Sequence, residues 1–577
     1  MRFSSACPLI FAFLLAACRG GVDEPPTPPG VLSLALGEGR TLTASQAATI
    51  EVSGGSSGAE FVLIPFYASQ SPTATVALEL VGTQITGVSG PPLPHVASST
   101  TPSFSIEGAA SFRAREAGRA RFDAALRRLE HDMFARRIPA ARARFGGALR
   151  ASASAAGSGS RAVPAVGDQM TLNVNALAGC TNADLRTGTV MAVTTFAVIV
   201  ADNANPSGGF SPADYAQIGQ EFDQIVQPVL TQNFGSPSDI DQNGARSVVF
   251  YTRAVNELTP AGSSFVIGGF FHPRDLFPKV GPDPNNTNDD CAGSNEAEMF
   301  YMLVPDPNGE VNGREHKYED VRRGTVGVLG HEYQHLISAA RHIANNAPDF
   351  EQVWLNEGLS HIAEELLFYR VSGLTPRQNI TLTQLTSSDQ IRNAVNAYQV
   401  QNFSRLIDYL EDPEARSPYA DDDELATRGA TWQLLRYAAD RSSTPEQNLW
   451  RRLVNSTTLG IANFTATFGD FSSTVRDWAT AQYMDDAVAQ VPANFRHPSW
   501  HYRSLIPTLI DRTNPPPYPL RTRTLVDGAP PLALSLKGGS AAYLRFGVAG
   551  GATGVITPTS SGAPLPAAVS VTVVRTK

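Results

Sequence analysis

From Val31 to Ile106, apolar and polar positions alternate in short runs such as "TATVALELVG", broken by turn signals such as "SGGSSG". Period two sends successive side chains to opposite faces of a strand, so residues 31–108 predict a small all-β module of sandwich type. The pattern changes over "SFRAREAGRARFDAALRRLEHDMFARRIPAARARFGGALR", where Phe122, Leu126, Leu129 and Met133 fall on one helical face among many arginines. Residues 109–165 therefore read as an Arg-rich helical connector followed by a linker, "ASASAAGSGSRAVPAVG". The helix has two readings: a solvated connector that packs one stripe on its neighbour, or a pro-segment or membrane-surface helix.

Residues 166–504 predict a single larger domain. "GTVMAVTTFAVIVAD" reads as a long buried strand, and "SPADYAQIGQEFDQIVQPVLTQNFG" as a helix with Ser211 as N-cap, Pro212 at its first position and a glycine past its end. "RSVVFYTRAV", "SFVIGGFF" and "EMFYMLVPD" are further strands, residues 322–343 a helix, and the pattern from Gln352 to about Ala489 is almost wholly helical. Residues 505–577 return to Pro-, Gly- and Val-rich strands. The expected fold is thus multidomain: an α+β domain, with a mixed sheet lobe and a helical lobe, flanked by two small all-β modules.

Composition narrows the function. Apolar residues make up 42% of the 577, charged residues 17%, and the net charge is -9, which gives no support for nucleic-acid binding. The start, "MRFSSACPLIFAFLLAAC", has a basic residue and an apolar run too short to span a bilayer, so it reads as an export signal. Leu15-Ala16-Ala17-Cys18 resembles the lipobox of bacterial lipoproteins. That resemblance implies a signal peptide over residues 1–17, lipid on Cys18, a tether over 18–30, and anchoring to the outer membrane or cell surface. Of four cysteines, Cys180 and Cys291 then remain in the folded part, where an oxidising compartment lets them pair as a disulfide.

The chemistry concentrates in "GHEYQH" at Gly330–His335. On a helix His331 and His335 project from one face about a turn apart, a spacing at which two imidazoles reach one Zn2+. Glu332 beside them is placed to take a proton from a water on the metal. Downstream, "WLNEGLSHIAEEL" offers Glu357 as a third ligand, with 21 residues between it and His335, enough for a turn and an antiparallel helix. "DIDQNG" puts Asp239, Asp241 and Asn243 at alternate positions before a glycine. It reads either as a candidate Ca2+ loop or as an Asx-type turn, because position twelve is Phe250 where such a loop needs glutamate.

The pair of motifs resembles the gluzincins, zinc peptidases whose third ligand is a glutamate on the following helix. "HEYQHLI" with "WLNEGLSHIAEEL", and "NEAEMFYMLVPDPNG" upstream, is similar to the hyicolysin family of secreted bacterial metallopeptidases over about residues 180–440. The resemblance implies a zincin-like domain, His331, His335 and Glu357 as zinc ligands, Glu332 as general base, and a protein or peptide substrate. It also gives "EMFYMLVPD" a task, as the edge strand against which substrate lies antiparallel. "WLNEG" resembles gluzincin aminopeptidases too, but no GxMEN-type segment stands upstream, so endopeptidase is preferred. Glu364 lies two turns past Glu357, where it can hold an imidazole in the right tautomer, and Asn356 is a candidate to hydrogen-bond beside the metal. Thermolysin-like enzymes carry an aspartate where this chain has His361. For the oxyanion donor, Tyr419 and Arg428 are candidates. His497 and His501 read as structural. The competing reading of the whole is a surface-binding or adhesion lipoprotein with a structural or inactive metal site, which the flanking β modules keep open.

Overall fold

The computed structural model describes residues 30–88, 121–146, 163–263, 265–488, 490–511 and 514–577. The export signal, Cys18, nearly all of the tether, and the linker over 147–162 lie outside these residues, as do the end of the first β stretch and the start of the Arg-rich segment.

The chain is a multidomain α+β protein, with three sheets among the described residues. The six-stranded sheet of the central domain runs β5-β6-β7-β8-β10-β9, with β5 (Gln169–Asn173), β6 (Leu185–Val193), β7 (Ala197–Asp202), β8 (Ser247–Tyr251), β9 (Gly269–Phe271) and β10 (Met299–Met302). β7, β8 and β10 are parallel; β5, β6 and β9 complete the sheet antiparallel. All five residues of β8 are buried, Val249 and Tyr251 in one core and Val248 and Phe250 in another, as its unbroken apolar run requires.

Two expectations change here. "GTVMAVTTFAVIVAD" is not one strand but two antiparallel strands, β6 and β7. The turn between them is built by Asp223, a helical residue whose carboxylate accepts from Thr194 Oγ1 (2.9 Å), Thr195 N (2.8 Å) and Phe196 N (3.1 Å). No glycine or proline marks that turn, because a distant side chain supplies its acceptors. "EMFYMLVPD" is not the edge strand either: β10 lies between β8 and β9, and the edge is β9. The helix starting at Pro212 forms as expected, with Ser211 and Asp214 in a capping box and Gly235 at φ 100° closing its last segment. Between them it loosens into a wide turn at Phe222–Val226, just before Pro228, which has no N–H to give the preceding turn.

The two β stretches do not form separate modules; their strands interleave. One sheet runs β1-β15-β3-β13-β11 and the other β12-β4-β14-β2. Here β1 (Gly39–Thr43), β2 (Ile50–Ser53), β3 (Ala59–Tyr67) and β4 (Thr75–Thr83) come from the first stretch. β11 (Arg523–Thr524), β12 (Leu532–Lys537), β13 (Leu544–Val548), β14 (Thr553–Thr559) and β15 (Val569–Arg575) come from the last. The reason is visible in β3. Phe61 and Leu63 point into the sandwich core, while Val62, Ile64 and Phe66 join the core of the central domain. A strand apolar on both faces needs cover on both, and the central domain supplies the second. β4, which faces solvent on one side, alternates strictly between exposed and buried. Arg523 pairs with Glu414 (3.0 and 2.5 Å), and Tyr543 OH donates to Ala479 O (2.7 Å) across the same junction.

Cys180 and Cys291 form a disulfide that ties the entry to β6 to the loop before β10, 111 residues apart. Phe546 stacks on Phe61 in the sandwich at 5.4 Å and is fully buried. Phe546→Ala is expected to cost about 3–5 kcal/mol by removing that packing, read as a lower denaturation midpoint, with the N-terminal strands losing amide protection together with the C-terminal ones.

Candidate metal centre

The motif helix runs Tyr318–Asn345 and stops at Asn346, which takes the left-handed conformation at φ 56°. After a short loop the second helix, Val353–Ser372, returns across it and ends at Gly373. Two glycines set the closeness of this packing. A Cβ on Gly330 would lie 2.3 Å from Leu367 of the second helix, and one on Gly358 would lie 2.5 Å from Thr431 of the Leu425–Arg441 helix. Each glycine adjoins a candidate ligand in the chain: Gly330, beside His331, lets the two helices approach, and Gly358, beside Glu357, lets the second approach the helix that carries Arg428.

The structure brings His331, His335 and Glu357 together. Their Nε2 atoms are 3.1 Å apart, and Glu357 lies 3.5 Å from each ring, Oε2 to His331 and Oε1 to His335. A tetrahedral zinc with bonds near 2.0–2.1 Å sets neighbouring ligand atoms about 3.3 Å apart, so the triangle fits that ion. Both oxygens of Glu357 are buried without a hydrogen-bond partner, a further sign that a cation belongs there. Outer partners orient the rings. His331 Nδ1 is 2.9 Å from Glu364 Oε1 and His335 Nδ1 is 3.0 Å from Asn356 Oδ1, which turns both Nε2 lone pairs toward Glu357. Glu364 also touches His361 Nδ1 at 3.2 Å, and Arg405 Nη1 stands 2.9 Å from that same nitrogen. Glu332 Oε2 accepts the Phe271 N–H of β9 at 2.9 Å, which binds the motif helix to the sheet edge.

Charge balance shapes the site. Burial opposes ionisation of Glu357, but the Arg428 guanidinium, 3.0 Å away, and the histidines hold its carboxyl well below the usual range. Burial lowers the affinity of His331 for a proton, yet Glu357 and Glu364 reverse this and raise its pKa to about 9. His335 is pushed well below its ordinary value by burial, helped by Arg127. His361 is pushed down to about 3 by burial and by Arg405, so it stands neutral beside Glu364.

No family model matches the chain. A stretch of 151 residues, 26% of its length, is 32% identical to the neutral metalloprotease ShpI of Staphylococcus hyicus. The chain spans 30% of that relative's length.

Of the other predicted residues, Arg428 reaches this centre and the rest lie elsewhere. Tyr419 is not at the metal centre: it packs between Trp354 and Phe471, and its hydroxyl donates to Ser69 O of the sandwich. Arg428 contacts the ligand triangle through Glu357, with Asp423 (2.6 Å) and Asp123 (3.0 Å) on its other nitrogens. His497 is buried against Tyr437 and Tyr502, and His501 caps the Tyr502–Ile510 helix by accepting from Ser504 N. In the acidic loop, oxygens of Asp239 and Asp241 converge with one from Glu298, within 4.8 Å of one another. Asn243 turns its amide to Asp241 and to the backbone of Arg246 instead. Burial pushes the Glu298 carboxyl up to about 7.

Arg127, Asp123 and Arg405 are the residues the sequence reading missed. Asp123, Arg127 and Glu130 recur at helical spacing, a charged stripe beside the apolar one, and all three are buried. Two substitutions probe the metal centre. Glu357→Gln is expected to abolish stoichiometric metal binding, and Glu364→Gln to weaken it about 10- to 100-fold, both measured by competition against a chromogenic chelator.

Proposed function

We propose that this chain is a metal-dependent peptidase, specifically a zinc endopeptidase. The observation that carries the reading is the convergence of His331, His335 and Glu357, with the charge of Glu332 acting on His331 and its carboxylate hydrogen-bonded to the edge strand of the sheet. The likeness to a metalloprotease over 151 residues supports it.

Zinc held by His331, His335 and Glu357 would polarise the scissile carbonyl and acidify a water. Glu332 takes the proton from the attacking water and passes it to the leaving amine nitrogen. Asn356 and Glu364 keep the imidazoles in the tautomer that presents Nε2. Arg428, 3.0 Å from Glu357 Oε2, holds Glu357 ionised and in place. An extended peptide adds along β9, where main-chain hydrogen bonds place it and side-chain pockets choose it. Glu332, tied to Phe271 of that strand, then stands beside the carbonyl to be attacked. The absence of a GxMEN-type segment from the sequence favours an endopeptidase over an aminopeptidase.

Export and lipidation at Cys18 are part of the same proposal. They rest on the lipobox alone; among the described residues no helix is long and apolar enough to cross a membrane. Incorporation of labelled palmitate that disappears in Cys18→Ser tests the anchor.

The catalytic reading is tested on casein and a mixed peptide library, with the zinc-loaded chain both intact and nicked by limited proteolysis. Hydrolysis is expected to stop on chelation, return with zinc, and fall about 10²- to 10⁴-fold in Glu332→Ala, which still binds zinc at one per chain. A zinc-loaded chain that cleaves nothing in either form overturns the proposal in favour of an adhesion protein with a structural metal.

A further inference from the structure

The metal centre is sealed by the protein's own chain. Residues 121–129 are helical and pass through a wide turn, Glu130–Phe134, to the helix Ile138–Phe145. This is the Arg-rich segment; it packs its apolar stripe on its neighbour, and its charged stripe Asp123, Arg127 and Glu130 is buried as well. Arg127 is 2% exposed, its Nε stands 3.6 Å from Glu357 Oε1, and its charge is felt by Glu332 as well. Asp123 Oδ2 is 3.0 Å from Arg428 Nη2, on the guanidinium that also holds Glu357. Phe122 packs edge-on to Phe270 of β9 at 5.6 Å, and Leu126 is buried in one cluster with Phe270 and Tyr301. Farther along, Phe134 meets His272 and Phe277 at 5.8 and 5.3 Å, and His131 Nδ1 lies 3.0 Å from Asp349 Oδ1, in the loop between the two ligand helices.

We propose that residues 121–146 are a built-in inhibitory segment that occupies the peptide-binding cleft, so that the chain in this conformation is latent. The inference rests on the peptidase reading. A peptide that reaches Glu332 while lying on β9 needs the space that Phe122, Leu126 and Arg127 fill. With the segment in place, His331, Glu332, His335 and Glu357 are each 3% exposed or less. The occupant also resists cleavage for a physical reason. Its backbone N–H and C=O groups are spent inside a helix, so it offers β9 no extended main chain to pair with and the metal no free carbonyl. It binds by side chains instead, using a guanidinium against the ligand carboxylate and an aspartate against Arg428. Both contacts involve charges on the enzyme body that are present without substrate, so a competing peptide has to displace them.

The test uses the full chain loaded with cobalt(II), and a peptide hydroxamate as the probe of entry to the metal, followed by the visible absorption bands. Arg127→Glu sets a carboxylate against Glu357 and is expected to raise hydroxamate affinity at least tenfold, with kcat/KM on a peptide substrate rising in parallel. In the wild-type protein, hydroxamate binding is expected to speed amide hydrogen exchange over residues 121–134. If Arg127→Glu does not fold, Arg127→Gln and the wild-type exchange experiment decide. Equal affinity and equal hydrolysis in wild type and variant overturn the inhibitory role and leave the peptidase reading intact. So does hydroxamate binding to the wild type with unchanged exchange over 121–134. Tighter hydroxamate binding in the variant, with no hydrolysis by either protein, supports occupancy of the cleft and overturns the peptidase reading.

Discussion

The buried carboxylate of Glu357 is the constraint around which the central domain is arranged. It is 1% exposed, and a lone carboxylate removed from water costs several kcal/mol unless positive charge or donors surround it. Here the surroundings are two imidazoles at 3.5 Å, Arg428 at 3.0 Å and Arg127 at 3.6 Å, with no ordinary hydrogen bond to either oxygen. Four elements far apart in sequence therefore meet at one group. Gly330 and Gly358 make the meeting sterically feasible, since a Cβ at either position would drive the helices apart. Asp423 and Asp123 in turn stabilise Arg428, so the charge network extends from the centre to the segment that covers it.

That network joins protection to chemistry. The buried, unpartnered carboxylate oxygens of Glu357 attract any cation that reaches them. Arg127 brings a single positive charge on a side chain long enough to reach Glu357 from outside the ligand set. The same helix packs on β9 with Phe122 and Leu126, so electrostatic and apolar contacts hold one segment against both Glu357 and the sheet. The sandwich works at a distance from this. Its β3 strand divides its side chains between two cores, which fixes the strands of both chain ends against the helical lobe.

Much of the centre was legible locally. A four-residue spacing puts His331 and His335 on one helix face whatever the tertiary fold, and a glutamate on the next helix is within reach of any tight antiparallel return. Asn356 and Glu364 could be placed as neighbours of the rings by the same periodicity. The charged stripe Asp123, Arg127 and Glu130 was equally periodic, but periodicity does not distinguish a solvated charged face from one buried against opposite charge. In the acidic loop, Asn243 fitted the alternating pattern and yet serves the turn, while Glu298, more than fifty residues on, takes the place beside Asp239 and Asp241.

By itself the sequence determined the elements whose cause is local: the capped helix after Ser211, the alternating strand Thr75–Thr83, and the two helices that carry His331, His335 and Glu357 on defined faces. Only the tertiary structure decided which distant pieces share a sheet, a charge or a cavity. Whether residues 39–83 and 523–575 form two modules or one depends on what covers the second apolar face of β3. Whether Arg127 meets water or Glu357 depends on how closely helices more than two hundred residues apart in the chain approach. Side-chain periodicity records which face of an element is apolar or charged; it carries no information about the partner that the face will meet.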